Sequence, residues 1–145
     1  MKAKAVDYPF GDEKVIFSND ELLQKLKIST ENFRKLDKLI EHAAKTLPYN
    51  KVPYLQRFLG YQTKHMLLLT KWAICCVIMT RDTTPRTQID QLYKDACVYM
   101  DTLINTRKVL ENDSWTNWHC GDKKINLPAL RNATEEAYFT LIFRD

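Results

Sequence analysis

The longest apolar run in the chain, Met66 to Met79, is 14 residues long and carries Lys71 in its middle. A bilayer span needs about 20 apolar residues, so this run is a buried core helix and not a membrane segment. Extended back to Tyr54, it forms one helix whose apolar residues nearly encircle it. Leu55, Phe58, Leu59, Gln62, Met66, Leu69, Ala73 and Cys76 make one face. Leu67, Leu68, Trp72, Ile74, Cys75, Val77 and Ile78 thicken that face on both sides. A helix apolar on most sides has to be surrounded by other helices or by a partner.

The flanking sequence supplies such helices. Ser18-Asn19-Asp20-Glu21 matches a capping box, in which Ser18 and Glu21 satisfy each other's backbone donors, and it predicts a short helix to about Ile28. Ser29 or Thr30 is expected to cap a second helix. There Phe33, Leu36, Leu39, Ile40, Ala43, Ala44 and Leu47 form a single stripe at helical spacing. Pro48 and Pro53 bracket the connection that follows, since neither suits a helix interior. After the apolar helix, Thr84 and Pro85 read as cap and first turn of a helix over about 85–111. Its seam is Ile89, Leu92, Ala96, Tyr99, Leu103, Thr106 and Leu110, alternating spacings of three and four. A last helix begins at Asn126 or Leu127, with Pro128 in its first turn, and packs through Leu130, Ala133, Ala137 and Leu141.

These elements predict an all-α, up-and-down bundle of four principal helices with an irregular N-terminal arm. The arm is residues 1–17, extended over Lys14-Val15-Ile16-Phe17 and anchored by Phe10 and Phe17; residues 18–145 form a single helical-bundle domain. At 145 residues this domain can bury a core without metal or disulfide staples. Three glycines and five prolines are too few for the many tight turns of a sandwich or barrel.

The chemistry-bearing residues are sparse. Balanced charge, 22 basic against 18 acidic residues, lacks the concentrated basic stripe of a nucleic-acid binder, so no nucleic-acid partner is expected. Met1 to Phe17 lacks the apolar core of a signal peptide. Cys75, Cys76, Cys97 and Cys120 show neither a CxxC pair nor a regular spacing, and they read as buried reduced thiols. His42, His65 and His119 are scattered, which leaves no metal-ligand set and no cofactor expected. With no nucleophile elbow and no glycine-rich phosphate loop, no catalytic residue is assigned. Asn132-Ala133-Thr134 matches a glycosylation acceptor, but it falls in the middle of a helix. Tyr54, Phe58, Tyr61 and Trp72 read as core aromatics, with Tyr49 and Tyr54, beside the prolines, the more accessible.

One loop stands apart. Ser114-Trp115-Thr116-Asn117-Trp118-His119-Cys120-Gly121-Asp122-Lys123-Lys124 holds two of the three tryptophans between two helical patterns. Either the indoles plug the open end of the bundle or they meet a ligand. On the second reading one of Trp115 and Trp118 offers a flat face while Asn117, Asp122 and Lys123 supply hydrogen bonds, an arrangement suited to a sugar, and the candidate ligand residues are these five with His119.

The order of parts, a long Tyr- and Leu-rich helix, a polar helix with Leu92-Tyr93-x-x-Ala96, then a charged stretch into Trp115-Thr116-Asn117-Trp118, resembles a known arrangement. It is similar to the helical domain that follows the catalytic barrel in large polysaccharide-degrading glycoside hydrolases of the xylan α-glucuronidase-like group, over roughly residues 30–120. The resemblance implies a non-catalytic accessory domain that packs on a neighbouring domain of a longer polypeptide, with polysaccharide as a candidate ligand. The alternatives are a stand-alone bundle that associates with itself, and a small helical ligand carrier or enzyme. A complete chain would be cytoplasmic; an excised glycosidase domain would be secreted or periplasmic.

Overall fold

The computed structural model describes residues 5–7, 14–16, 18–111 and 126–144. Within the arm, β1 (Ala5–Asp7) and β2 (Lys14–Ile16) pair antiparallel, with Val6 opposite Val15. The anchoring roles expected of Phe10 and Phe17 lie outside the described residues. The rest is an all-α bundle. Its four principal helices are α1 (Asn19–Thr46), α3 (Tyr61–Met79), α4 (Arg86–Glu111) and α5 (Leu127–Ile142), with a short α2 (Val52–Leu55) in the first connection.

The capping box forms as expected: the Ser18 hydroxyl accepts from the Glu21 amide at 3.2 Å, and the Glu21 carboxylate accepts from the Ser18 amide at 3.0 Å. The break expected at Ser29–Thr30 does not occur, and α1 runs unbroken for 28 residues. Thr30 turns its hydroxyl back onto the Leu26 carbonyl at 2.8 Å, satisfying itself inside the helix instead of capping a new one. Pro48 ends α1 by forcing Leu47 into extended backbone (φ −74°, ψ 151°).

The connection is compact: a 3-10 turn at Tyr49–Lys51, then α2 with Pro53 in its first turn, then a π-helical turn at Gln56–Gly60 that runs into α3. The π turn closes when the Tyr61 amide donates to the Gln56 carbonyl, five residues back. Gly60 leaves room there for the Gln56 side-chain amide, which lies where a Cβ on residue 60 would be and would have to swing aside for a larger residue. At the next connection Thr84 donates its hydroxyl to the Ile78 carbonyl at the end of α3. It does not cap α4 as the sequence suggested; the Pro85 carbonyl instead receives the first amides, from Gln88 and Ile89.

Extensive packing joins α1 to α3, α3 to α4, and α4 to α5. The apolar helix α3 is therefore central, as its composition requires. Met100 and Leu103 of α4 and Leu127 of α5 form the most deeply buried cluster, against which Leu68, Leu69 and Trp72 of α3 pack. Lys71, the one charge in the apolar run, sets its ammonium over the Tyr99 ring at 5.8 Å, keeping a cation inside a helical interface.

Candidate functional site

α1 sits at the edge of this array, and its apolar residues divide between two faces. Leu23, Leu26, Thr30, Phe33, Ile40 and Ala44 follow spacings of three, four and seven and are buried or partly buried. A second line, Leu22, Ser29, Leu36 and Ala43, repeats every seven residues about a fifth of a turn away and extends to Leu47; Leu22, Ser29 and Ala43 are partly buried. The single stripe read from the sequence is thus two. Leu36 and Leu47 are exposed, and beside them Leu39 is 66 % exposed. Tyr49, Tyr54, Leu59 and Met66, in the connection and after it, are exposed as well, with Tyr49 at 95 %, as are Ile28, Val98, Phe139 and Phe143 elsewhere on the bundle. Tyr49 and Tyr54 are accessible as expected. Phe58, expected in the core, is also exposed, within the π turn before α3.

Between α1 and α5, over α3, lies a cleft of about 310 Å³. Leu22 forms its α1 wall, Trp72, Cys76 and Val77 its floor, and Leu130, Ala133 and Ala137 its α5 wall. The Trp72 indole N–H donates to the Thr134 hydroxyl at 3.0 Å, and that hydroxyl donates to the Leu130 carbonyl at 2.7 Å. Thr134 is 3 % exposed. It thereby clips α5 to α3, and the hydroxyl that would belong to the glycosylation match is sealed in the core. Burial pushes the Cys76 thiol from 9.0 up to about 12 and the Cys75 thiol from 9.0 up to about 11. Both are free, as is Cys97, and burial keeps Cys75 and Cys76 protonated and unreactive at neutral pH.

The outer seam of α4 and α5 carries the densest polar network. Tyr93 and Tyr138 stack with ring centroids 3.9 Å apart, and the Tyr138 hydroxyl donates to Asp90 at 2.8 Å. That bond to the carboxylate raises the Tyr138 pKa above its ordinary value. Arg131 pairs with Asp101 at 3.1 Å and lies 3.7 Å from Glu135. Each charge here answers another on the adjacent helix or turn, so the network ties α4 to α5.

No family model, curated protein or solved structure matches the chain.

The residues the sequence singled out for ligand binding, Trp115, Asn117, Trp118, His119, Asp122 and Lys123, all lie outside the described residues, as does Cys120. The other two histidines are not brought together into a site: His42 is exposed on α1 and His65 is partly buried on α3. Among the described residues no group of three or more His, Cys, Asp or Glu side chains is placed to hold a metal ion. Among the same residues no helix is long and apolar enough to cross a membrane. Sequence reading missed the second stripe of α1 and the Trp72–Thr134 clip. The heptad recurrence of Leu22, Ser29, Leu36 and Ala43 was the available signal for the first; Thr134 looked like any helical threonine until α3 was set beside it.

Proposed function

We propose that this chain is a non-catalytic helical accessory domain that docks on a neighbouring domain of a longer polypeptide, part of a carbohydrate-active enzyme. The observation that carries the docking reading is the uncovered apolar surface at one end of the bundle: Leu36, Leu39 and Leu47 of α1, continued by Tyr49, Tyr54, Leu59 and Met66. Apolar residues scattered singly over a surface need no explanation, whereas several large ones on an edge helix and the connection that follows it support a place where something else packs. The carbohydrate part rests on the resemblance of the chain's helical order to the post-catalytic domain of the glycosidases, and on the two tryptophans, Trp115 and Trp118, close together in the sequence. In this reading the catalytic carboxylates belong to the neighbouring domain and polysaccharide is the ligand.

Self-association through the same surface is the competing reading, and sedimentation velocity across micromolar to millimolar concentrations separates the two. The accessory reading expects a monomer throughout. A dimer that Leu39→Glu dissociates would replace it with the self-associating bundle. The sugar reading is tested separately by tryptophan fluorescence with xylan, mannan and glucan oligosaccharides at millimolar concentration. It expects a saturable change, lost in Trp115→Ala with Trp118→Ala; an unchanged spectrum removes polysaccharide from the proposal.

A further inference from the structure

We infer that the cleft between α1 and α5 is a binding site for a compact, uncharged apolar ligand, of alkyl or aromatic chemistry, whose single polar end meets Asn19. This site is distinct from the exposed docking surface and does not depend on it.

The argument begins with size. At about 310 Å³ the cleft is at the lower end of the range of small-molecule sites, roughly 300–1,000 Å³, and holds the volume of about ten waters at liquid density. Leu22, Val77, Leu130, Ala133 and Ala137 present carbon to it, with the thiol of Cys76 protonated at neutral pH. Water filling such a space gains few hydrogen bonds from these walls, so an apolar guest displaces it favourably.

The polar atoms then restrict the chemistry. Thr134 is occupied by the Trp72 indole and the Leu130 carbonyl. Thr80 donates to the Cys76 carbonyl at 2.9 Å and lies 3.3 Å from the Val77 carbonyl. Trp72 has spent its one donor on Thr134. These three line the cleft but their donors are committed within the fold. A sugar or an ion entering here would lose water without recovering its hydrogen bonds, at a cost that apolar contact does not offset. Asn19 is the exception. It is partly buried at the first position of α1 and lines the cleft, and among the described residues no hydrogen bond engages its side-chain amide. One amide at one end of an apolar trough fits one hydroxyl or carbonyl on a hydrocarbon body.

The small side chains of α5 create the space. Ala133 and Ala137 lie one turn apart opposite Leu22, where larger residues would close the gap between α1 and α5. The test is therefore to fill the cleft. 1-Octanol, sodium octanoate and methyl glucoside are titrated into the intact chain at pH 8, with binding read from the Trp72 indole N–H resonance, assigned by its loss in Trp72→Phe. The inference expects saturable binding of 1-octanol in the sub-millimolar range, octanoate at least tenfold weaker, and no shift with methyl glucoside. Ala133→Leu with Ala137→Leu should weaken octanol at least tenfold. Asn19→Ala should weaken octanol several-fold while leaving ethylbenzene unchanged. Circular dichroism and sedimentation of each variant confirm that it retains the helical fold. Absence of saturation, equal binding of octanol and octanoate, or unchanged octanol binding in the folded, filled variant overturns the inference. None of these outcomes bears on the docking surface, whose test is the oligomeric state.

Discussion

The two ends of this bundle are built differently. Where α1 starts, α3 stops, α4 starts and α5 stops, the helices are laced together. The Ser18–Glu21 box closes α1, Asp20 pairs with Arg81, Arg86 donates to the Ile142 carbonyl at 3.1 Å, and Tyr93 and Tyr138 stack above Asp90. At the opposite end, around the connection from α1 to α3, the chain turns by way of two prolines and a π turn and leaves Leu39, Leu47, Tyr49, Tyr54, Leu59 and Met66 exposed. The first end spends its polar groups on other helices of the same domain. The second presents apolar surface outward. The laced end is not free of exposed apolar surface, since Phe139 and Phe143 of α5 are exposed there, so the contrast is between polar ties at one end and a larger set of exposed apolar residues at the other.

Truncation of side chains tests that asymmetry most forcefully. Met100→Ala or Leu103→Ala empties part of the deepest cluster and is expected to cost about 2–5 kcal/mol in urea unfolding. Leu39→Ala, on the exposed stripe, is expected to change stability by no more than about 0.5 kcal/mol. Comparable losses at the two positions would mean that Leu39 is covered in solution, and the contrast between the ends would fail.

The Trp72–Thr134 clip is next in size. Thr134→Val keeps the shape but leaves the Trp72 indole N–H without its acceptor, an expected loss of about 1–3 kcal/mol. Thr30→Val is the control. Its hydroxyl bonds only to the Leu26 carbonyl of its own helix, so removing it strands no donor on another helix, and the loss should be clearly smaller. If the two substitutions cost the same, the clip carries nothing beyond a local threonine bond.

Some of this was legible in the sequence and some was not, for definite reasons. Cap and period are local, and they placed the capping box, the apolar helix from Tyr61 to Met79 and the first turn of α5 with Pro128, while the stretch from Tyr54, expected in the same helix, is divided between α2 and the π turn. The Ser29–Thr30 break was wrong because a threonine can satisfy its hydroxyl on a carbonyl four residues back as well as on a free amide, and only the packing of Leu23 and Ile40 on the same side of one helix decides between them. The division of α1 into two stripes was hidden for a similar reason. Residues 33, 36, 39, 40, 43, 44 and 47 look like one broad face until α3 covers half of it. At the other connection, Thr84 has the composition of a cap, and the fold turns it toward α3 instead. The candidate ligand residues of 112–125 are outside the described residues, so the clefts and surfaces discussed above come from helix faces, not from that loop.

Alkaline pH probes the laced end through its thiols. Burial raises Cys75 to about 11 and Cys76 to about 12, whereas in the unfolded chain both ionise near 9.0. Between those values the unfolded state has released protons that the folded state still holds, so stability falls as pH rises. It is fully present below about pH 9 and is progressively lost toward pH 11–12. One pKa unit corresponds to about 1.4 kcal/mol per group, and Cys76 is only partly buried, so the two thiols together should remove about 1–2 kcal/mol by pH 10. Tyr93, raised by burial, and Tyr138, held by Asp90, act in the same direction at higher pH. Unfolding midpoints at pH 8, 9 and 10 should therefore decline, and Cys76→Ala, though less stable at pH 8, should decline less steeply. A flat profile would show that water reaches these thiols in the folded protein. The floor of the cleft would then be as open as the Pro48–Gly60 end, and the difference between the two ends would reduce to exposed side chains alone.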